Sequence, residues 1–380
     1  MIQAKRCDSA MLHSLQAWLE KENLPSKGAL IGFDGYVDSI YRVVCTRTTQ
    51  GETQYYHCIA DYGQRVIDAA GKSADIEIQQ IERRLGGNAP LMAEGVAALG
   101  DAVTLVGELG YPQINPCFQT LLPSMKTYSF AEPCQTIALE FTDGKIMMGD
   151  MVSSDSINWE TIREIVGDDT LNEQIANASL IAVLNWSAHT GVAKIAYEVA
   201  SLVASLPAEQ KRMMFFDLSD PNALSLESLC SYLNMIRDIG TMIPTVLGMN
   251  ENEARTVIGC LFSEADMAKD TLDLAHLYGH QMLERLHLNS LTIHATAYAL
   301  GFEAQEMWHA DGFRIDKPLI STGGGDHYNA AFCHGLLHNL PLPQCLLLGS
   351  AASSYYVLNG RSAARNDLKK YLIQREELAV

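Results

Sequence analysis

Ser321-Thr322-Gly323-Gly324-Gly325-Asp326 runs straight into HYNAAFCHGLLHNL (327–340), a segment with helical periodicity. Three glycines ahead of a helix let bare backbone N–H groups approach an anion closely. The helix dipole adds a favourable field, so phosphate oxygens can sit at such a turn. Asp326 then lies beside that phosphate. A carboxylate there is repelled by a static phosphate but well placed to take the proton of an attacking hydroxyl during phosphoryl transfer. Alternatively, Asp326 merely caps a helix after a flexible turn.

Upstream of this turn, short runs rich in Val, Ile, Leu and Phe recur: ALIGF (29–33), VTLVG (103–107), LIAVLN (180–185), MMFFDL (213–218), IPTVLG (243–248) and LTIHA (291–295). Between them lie helical patterns such as NAPLMAEGVAALG (88–100) and GVAKIAYEVASLVASL (191–206). Strands alternating with helices predict an α/β fold, a doubly wound and mostly parallel sheet flanked by helices, with function at the strands' carboxyl ends. Two stretches break the rhythm, at approximately 36–60 and 134–151, with β-branched and aromatic residues around polar turns such as Asp143-Gly144. They are expected to join into a small β-sheet lid over the carboxyl edge. The last third reads as helical. No linker or internal repeat divides the chain, so residues 1–380 are expected to form one domain with the lid inserted.

Three further motifs carry candidate chemistry. In Asn250-Glu251-Asn252-Glu253, Asn250 and Glu253 share one side of a first helical turn and could organise hydrated Mg²⁺, although the spacing is equally that of a helix capping box. In Leu85-Gly86-Gly87-Asn88-Ala89, Asn88 could cap the next helix or offer its amide to a substrate hydroxyl that Gly86 and Gly87 let approach. In Gly32-Phe33-Asp34-Gly35-Tyr36-Val37-Asp38, two carboxylates follow the first strand and could accept from vicinal hydroxyls or line a solvated turn. Asp217 and Asp220 follow another strand and read mainly as a strand-end turn.

Composition removes other classes. With 27 basic and 45 acidic residues the formal charge is −18, which repels nucleic acid and anionic membranes. Nine scattered cysteines suggest neither a disulfide framework nor a zinc site. The chain has neither a signal-peptide apolar core nor a run of about 20 apolar residues, and a cytoplasmic protein is expected.

Taken together and in this order, GFDGYVD, LGGNAP, VLGMNENE and STGGGD resemble the ribokinase-like (PfkB) carbohydrate kinase family over roughly the whole chain. The resemblance implies Asp326 as catalytic base and Gly323, Gly324 and Gly325 as anion hole. It implies Asp34, Asp38, Gly86, Gly87 and Asn88 as sugar contacts, and Asn250 and Glu253, with Thr322 and Gly325, on the side of ATP and Mg²⁺. The activity implied is transfer of a phosphoryl group from ATP to a hydroxyl of a sugar-like molecule. Two departures stand out. His294-Ala295-Thr296-Ala297-Tyr298 replaces the family's usual glycine-containing nucleotide loop, and His327 stands where a small residue usually follows the base. The altered loop keeps three alternatives open: an ADP-dependent sugar kinase, a nucleoside kinase, and a non-catalytic binder on a degenerate kinase fold. Lid sheets with exposed edges also raise the expectation of a homodimer.

Overall fold

A computed structural model describes residues 4–150, 158–186, 191–207, 209–221, 224–315, 317–320 and 322–378. Ser321 of the glycine turn and Met151, the last residue of the second lid segment, lie outside them. In chain order the strands are β1 (Lys5–Arg6), β2 (Gly28–Gly32), β3 (Tyr36–Arg47), β4 (Thr53–Tyr55), β5 (Ile78–Gly86), β6 (Ala102–Gly107), β7 (Lys126–Ser129), β8 (Cys134–Glu140), β9 (Lys145–Asp150), β10 (Leu180–Val183), β11 (Met213–Asp217), β12 (Thr245–Asn250), β13 (Ser290–His294), β14 (Tyr298–Glu303) and β15 (Glu306–Asp311).

Ten of them form one sheet in the order β1-β15-β14-β13-β12-β11-β10-β2-β6-β7. Every pairing from β13 to β7 is parallel. Apart from the edge strand β7, those strands are mostly apolar because helices cover both faces and leave no wet side for a polar residue. Helices Val192–Ser205, Leu226–Gly240, Glu251–Leu261 and Thr271–Arg285 build the core on one face. Helices Asn88–Ala98, Gly324–Leu337 and Leu342–Asn359 build it on the other. All six strands anticipated from the apolar runs are present. β12 starts two residues later than its apolar run, after Pro244, which has no N–H to give to a ladder.

The last third is helical as anticipated, in helices Glu251–Leu261 and Thr271–Arg285 and again from Gly324 onward, except for a strand stretch between Ser290 and Asp311. There β13, β14 and β15 form an antiparallel meander. The turn between β14 and β15 uses Ala304 at φ +42°, where a glycine or asparagine would have announced it. In the lid, β3 pairs in parallel with β8, and β8 pairs with β9 around the Asp143-Gly144 turn. The two anticipated segments therefore do join in one small sheet. The sheet has five strands: β4 also pairs with β3, and β5 pairs antiparallel with β3 and runs directly into Gly86-Gly87-Asn88. Most of β5 is exposed, so it lacks the alternation of a half-buried strand. No helix among the described residues is long and apolar enough to cross a membrane.

Candidate active site

Asp326 sits in the first turn of helix Gly324–Leu337, behind Gly323, whose φ of +85° is one that side-chain-bearing residues rarely adopt. The first N–H groups of such a helix have no intrahelical acceptor, which leaves them for a ligand. Burial drives the Asp326 carboxyl well above its ordinary pKa; the carboxylates of Asp217 and Asp34 push the same way, and a hydrogen bond from the Asn88 side chain pulls partly back. A carboxylate so placed is a stronger base than a solvated one. Asn88, anticipated as a sugar contact, thus also touches the base.

Asp34 and Asp38 do different work. Asp34 is 1% exposed, and its two oxygens accept from the backbone N–H groups of Asn88 at 2.9 Å and Ala89 at 2.7 Å and from Asn185 Nδ2 at 2.8 Å. It caps helix Asn88–Ala98 from a distant loop, because the local cap residue, Gly87 at φ +96°, has no side chain to do so. Asp38 faces Gly86 so closely that a Cβ there would lie 2.6 Å from its Oδ2. Only glycine leaves that carboxylate its place. Burial raises the Asp38 pKa, against a hydrogen bond from Thr136 and the nearby charges of Arg84 and Lys145. Arg84, at the end of β5, also donates from Nη2 to Thr322 Oγ1 at 3.1 Å and so ties the lid to the glycine turn.

Asn250 and Glu253 form a complete capping box. Asn250 Oδ1 accepts from the N–H groups of Asn252 and Glu253, while Glu253 Oε2 accepts from the Asn250 N–H at 2.8 Å. The capping reading of the motif is present in full, and the box also places Glu253 in a nest of acids. Burial and then Asp217 drive the Glu253 pKa well up, with Asp326 and Asp220 adding to it. Asp217 itself, raised to about 6 mainly by burial, accepts from Ser219 N at 2.8 Å and from the Asn329 amide. It makes the anticipated strand-end turn and also faces the other carboxylates. Buried acids that raise one another's pKa are relieved by a hard divalent cation, so these residues fit Mg²⁺.

A cavity of about 500 Å³ opens beside the glycine turn, lined among others by Asn250, His294, Thr296, Gly324, Gly325 and Phe313. The altered loop is therefore a tight turn between β13 and β14 that borders the cavity. His294 packs against Gly325, where a Cβ would come within 3.2 Å of its ring, and burial lowers its pKa to about 4, so it is neutral. A larger cavity of about 920 Å³ lies at the opposite edge of the sheet, around Arg212 and Met242, away from these carboxylates. His327 neither crowds the site nor faces a substrate. Its Nδ1 meets the Gly323 carbonyl at 2.8 Å, its Nε2 meets Ser362 Oγ at 2.8 Å, and its ring stacks on Tyr356. It braces the glycine turn from behind.

Sequence reading missed Asn185, Asn329 and Arg84. Asn329 offered a signal, since an amide amid the apolar residues of HYNAAF must find a buried partner. Asn185 lay at the end of an apolar run and Arg84 in a segment without pattern.

A large parallel sheet with a separate lid and these groups at its carboxyl edge define a ribokinase-like kinase. The fold matches a ribokinase of Arabidopsis thaliana (TM-score 0.62, 15% identity, 92% of this chain and 99% of that one). It also matches an adenosine kinase of Sinorhizobium meliloti (TM-score 0.63, 15% identity, 92% and 99%). A ketohexokinase of Haloferax volcanii is 23% identical over 364 residues, covering 92% of this chain and 93% of the relative. The family model for prokaryotic ketohexokinases matches residues 11–374. The chain belongs to that family, and the anticipated sugar kinase, a phosphotransferase with an alcohol acceptor, is borne out.

Proposed function

We propose that this protein transfers the terminal phosphoryl group of ATP, bound with Mg²⁺, to a hydroxyl of a six-carbon keto sugar. The observation that carries this reading is the placement of Asp326. A carboxylate kept basic by its own burial and by its acidic neighbours stands at the mouth of a glycine turn beside a nucleotide-sized cavity. Asp326 takes the proton of the attacking hydroxyl as the new O–P bond forms and the bond from phosphorus to the leaving ADP oxygen breaks. The N–H groups at Gly324 and Gly325 hold the charge that develops on the transferred group. Mg²⁺, organised through Asn250, Glu253 and Asp217, supplies charge compensation on the nucleotide phosphates. Asp38, kept in place by Gly86, accepts from sugar hydroxyls, and Asp34 and Asn88 hold the shape of that pocket.

Product formation should be measured with keto hexoses, aldo hexoses and nucleosides, each with MgATP or MgADP. Keto hexoses with MgATP should turn over fastest. A preference for MgADP, or for nucleosides as acceptors, would overturn the proposal.

The relatives' keto-sugar chemistry and the nine unbridged cysteines are in keeping with a cytoplasmic enzyme. The lid exposes the apolar side chains of Ile78, Ile81, Ile137, Met147 and Met148, which supports a homodimer through the lid. Sedimentation at micromolar concentration should show dimer; monomer alone removes this part of the reading.

A further inference from the structure

Far from the glycine turn, helix Gly324–Leu337 ends in a second cluster of polar groups. His334 lies in its last turn and His338 caps it, four residues apart and therefore on one face. Both rings turn toward Asp101, the residue before β6. His334 Nδ1 lies 2.6 Å from Asp101 Oδ2 and His338 Nε2 lies 3.1 Å from Oδ1. The ligating atoms of the three residues lie within 4.8 Å of one another. Their side chains are 1–3% exposed. The Lys27 N–H, donating to Asp101 Oδ1 at 2.9 Å, and Trp18, edge-on to both imidazoles, hold the cluster in place.

From this geometry we propose that Asp101, His334 and His338 form a binding site for a borderline-soft divalent transition metal of the zinc class. Two imidazoles and one carboxylate are the ligands such an ion prefers over Mg²⁺. A cavity of about 360 Å³, lined among others by Glu22, Gly100 and Asn366, borders all three residues and leaves room for water in the remaining position. An independent observation points the same way: His334 Nε2 is buried without a hydrogen-bond partner. The carboxyl end of a helix also favours a cation. Each imidazole would bind through one nitrogen and keep an N–H on the other. The ion pins the tail of the helix that carries Asp326 to the start of β6, and so acts on stability rather than on phosphoryl transfer.

The full chain, freed of metal by a chelator, should be titrated with Zn²⁺ in excess Mg²⁺, which keeps the active-site acids occupied. One equivalent should bind and raise the melting temperature. His338→Gln and His334→Asn should each weaken that binding at least tenfold while circular dichroism stays native. Co²⁺ should give the visible absorption of a low-coordinate nitrogen and oxygen site, lost in both variants. No uptake by the native chain, or uptake equal in the native chain and both variants, would overturn the proposal. The His338 variant keeps the test decisive should the more deeply buried His334 variant fold poorly.

Discussion

Replacing Asp326 with Asn should lower kcat by about a thousandfold, the middle of the range that a positioned general base contributes, while leaving nucleotide affinity nearly unchanged. An amide preserves the shape of the first helical turn but cannot take a proton. The same change made to a residue that only caps the helix would leave both stability and turnover near normal, because Asn caps a helix as well as Asp does. Steady-state kinetics beside a thermal titration with MgATP separates the two, and retained turnover would refute the base. The pH profile carries the same argument. The base works only when ionised, so kcat/KM must fall as pH drops through the Asp326 pKa. Burial and the charges of Asp217 and Asp34 raise that pKa, so the acid limb should lie above the range of an ordinary carboxylate, about 4. Asp217→Asn removes one like charge and should therefore move the limb to lower pH. A limb that stays put, or moves up, would show that Asp217 does not act on the base.

Much of this site was legible because it consists of local motifs at strand ends, and local motifs depend on spacing alone. Gly323 to Asp326 read correctly as a turn opening a helix for that reason. Asn250 and Glu253 were ambiguous between cap and metal organiser, and the ambiguity is physical: the capping box is what holds Glu253 toward Asp217 and Asp326. What stayed hidden depends on residues distant in sequence. Asp34 and Asn185 meet across about 150 positions, as do Asp217 and Asn329 across more than 100, and no spacing rule encodes either pair. β5 was invisible because it is held by backbone pairing to β3 and presents most of its side chains to solvent. His327 has the structural role that a lone histidine most often has. It follows the base in sequence, but one step along a helix turns a side chain by about 100°, and here that step takes the ring to Tyr356 and Ser362.

Asp34→Ala should destabilise the protein by about 3 kcal/mol and reduce turnover as well. The carboxylate accepts from three donors in a nearly dry position: the Asn88 and Ala89 N–H groups and the Asn185 amide. Removing it leaves them without that acceptor, at ~1–3 kcal/mol for each buried group left unsatisfied. An opposing effect has to be weighed. Asp34 raises the pKa of Asp217 and Asp326 by repulsion, so its loss relieves those charges. In both cases burial is the larger cause, and Glu108, pushed up to about 9 by burial and then by Asp34, is already neutral at pH 7 and has no charge to relieve. The relief therefore removes only the lesser cause of the raised pKa values, whereas three hydrogen bonds are lost outright, and the lost hydrogen bonds win. Because helix Asn88–Ala98 begins at the freed N–H groups, Asn88 loses its fixed position beside Asp326, and kcat falls with stability. A residue that did nothing but bind sugar would behave otherwise: KM would rise while the urea midpoint stayed where it was. Urea unfolding and steady-state kinetics on the one variant thus decide whether Asp34 holds the substrate or holds the helix that positions the base.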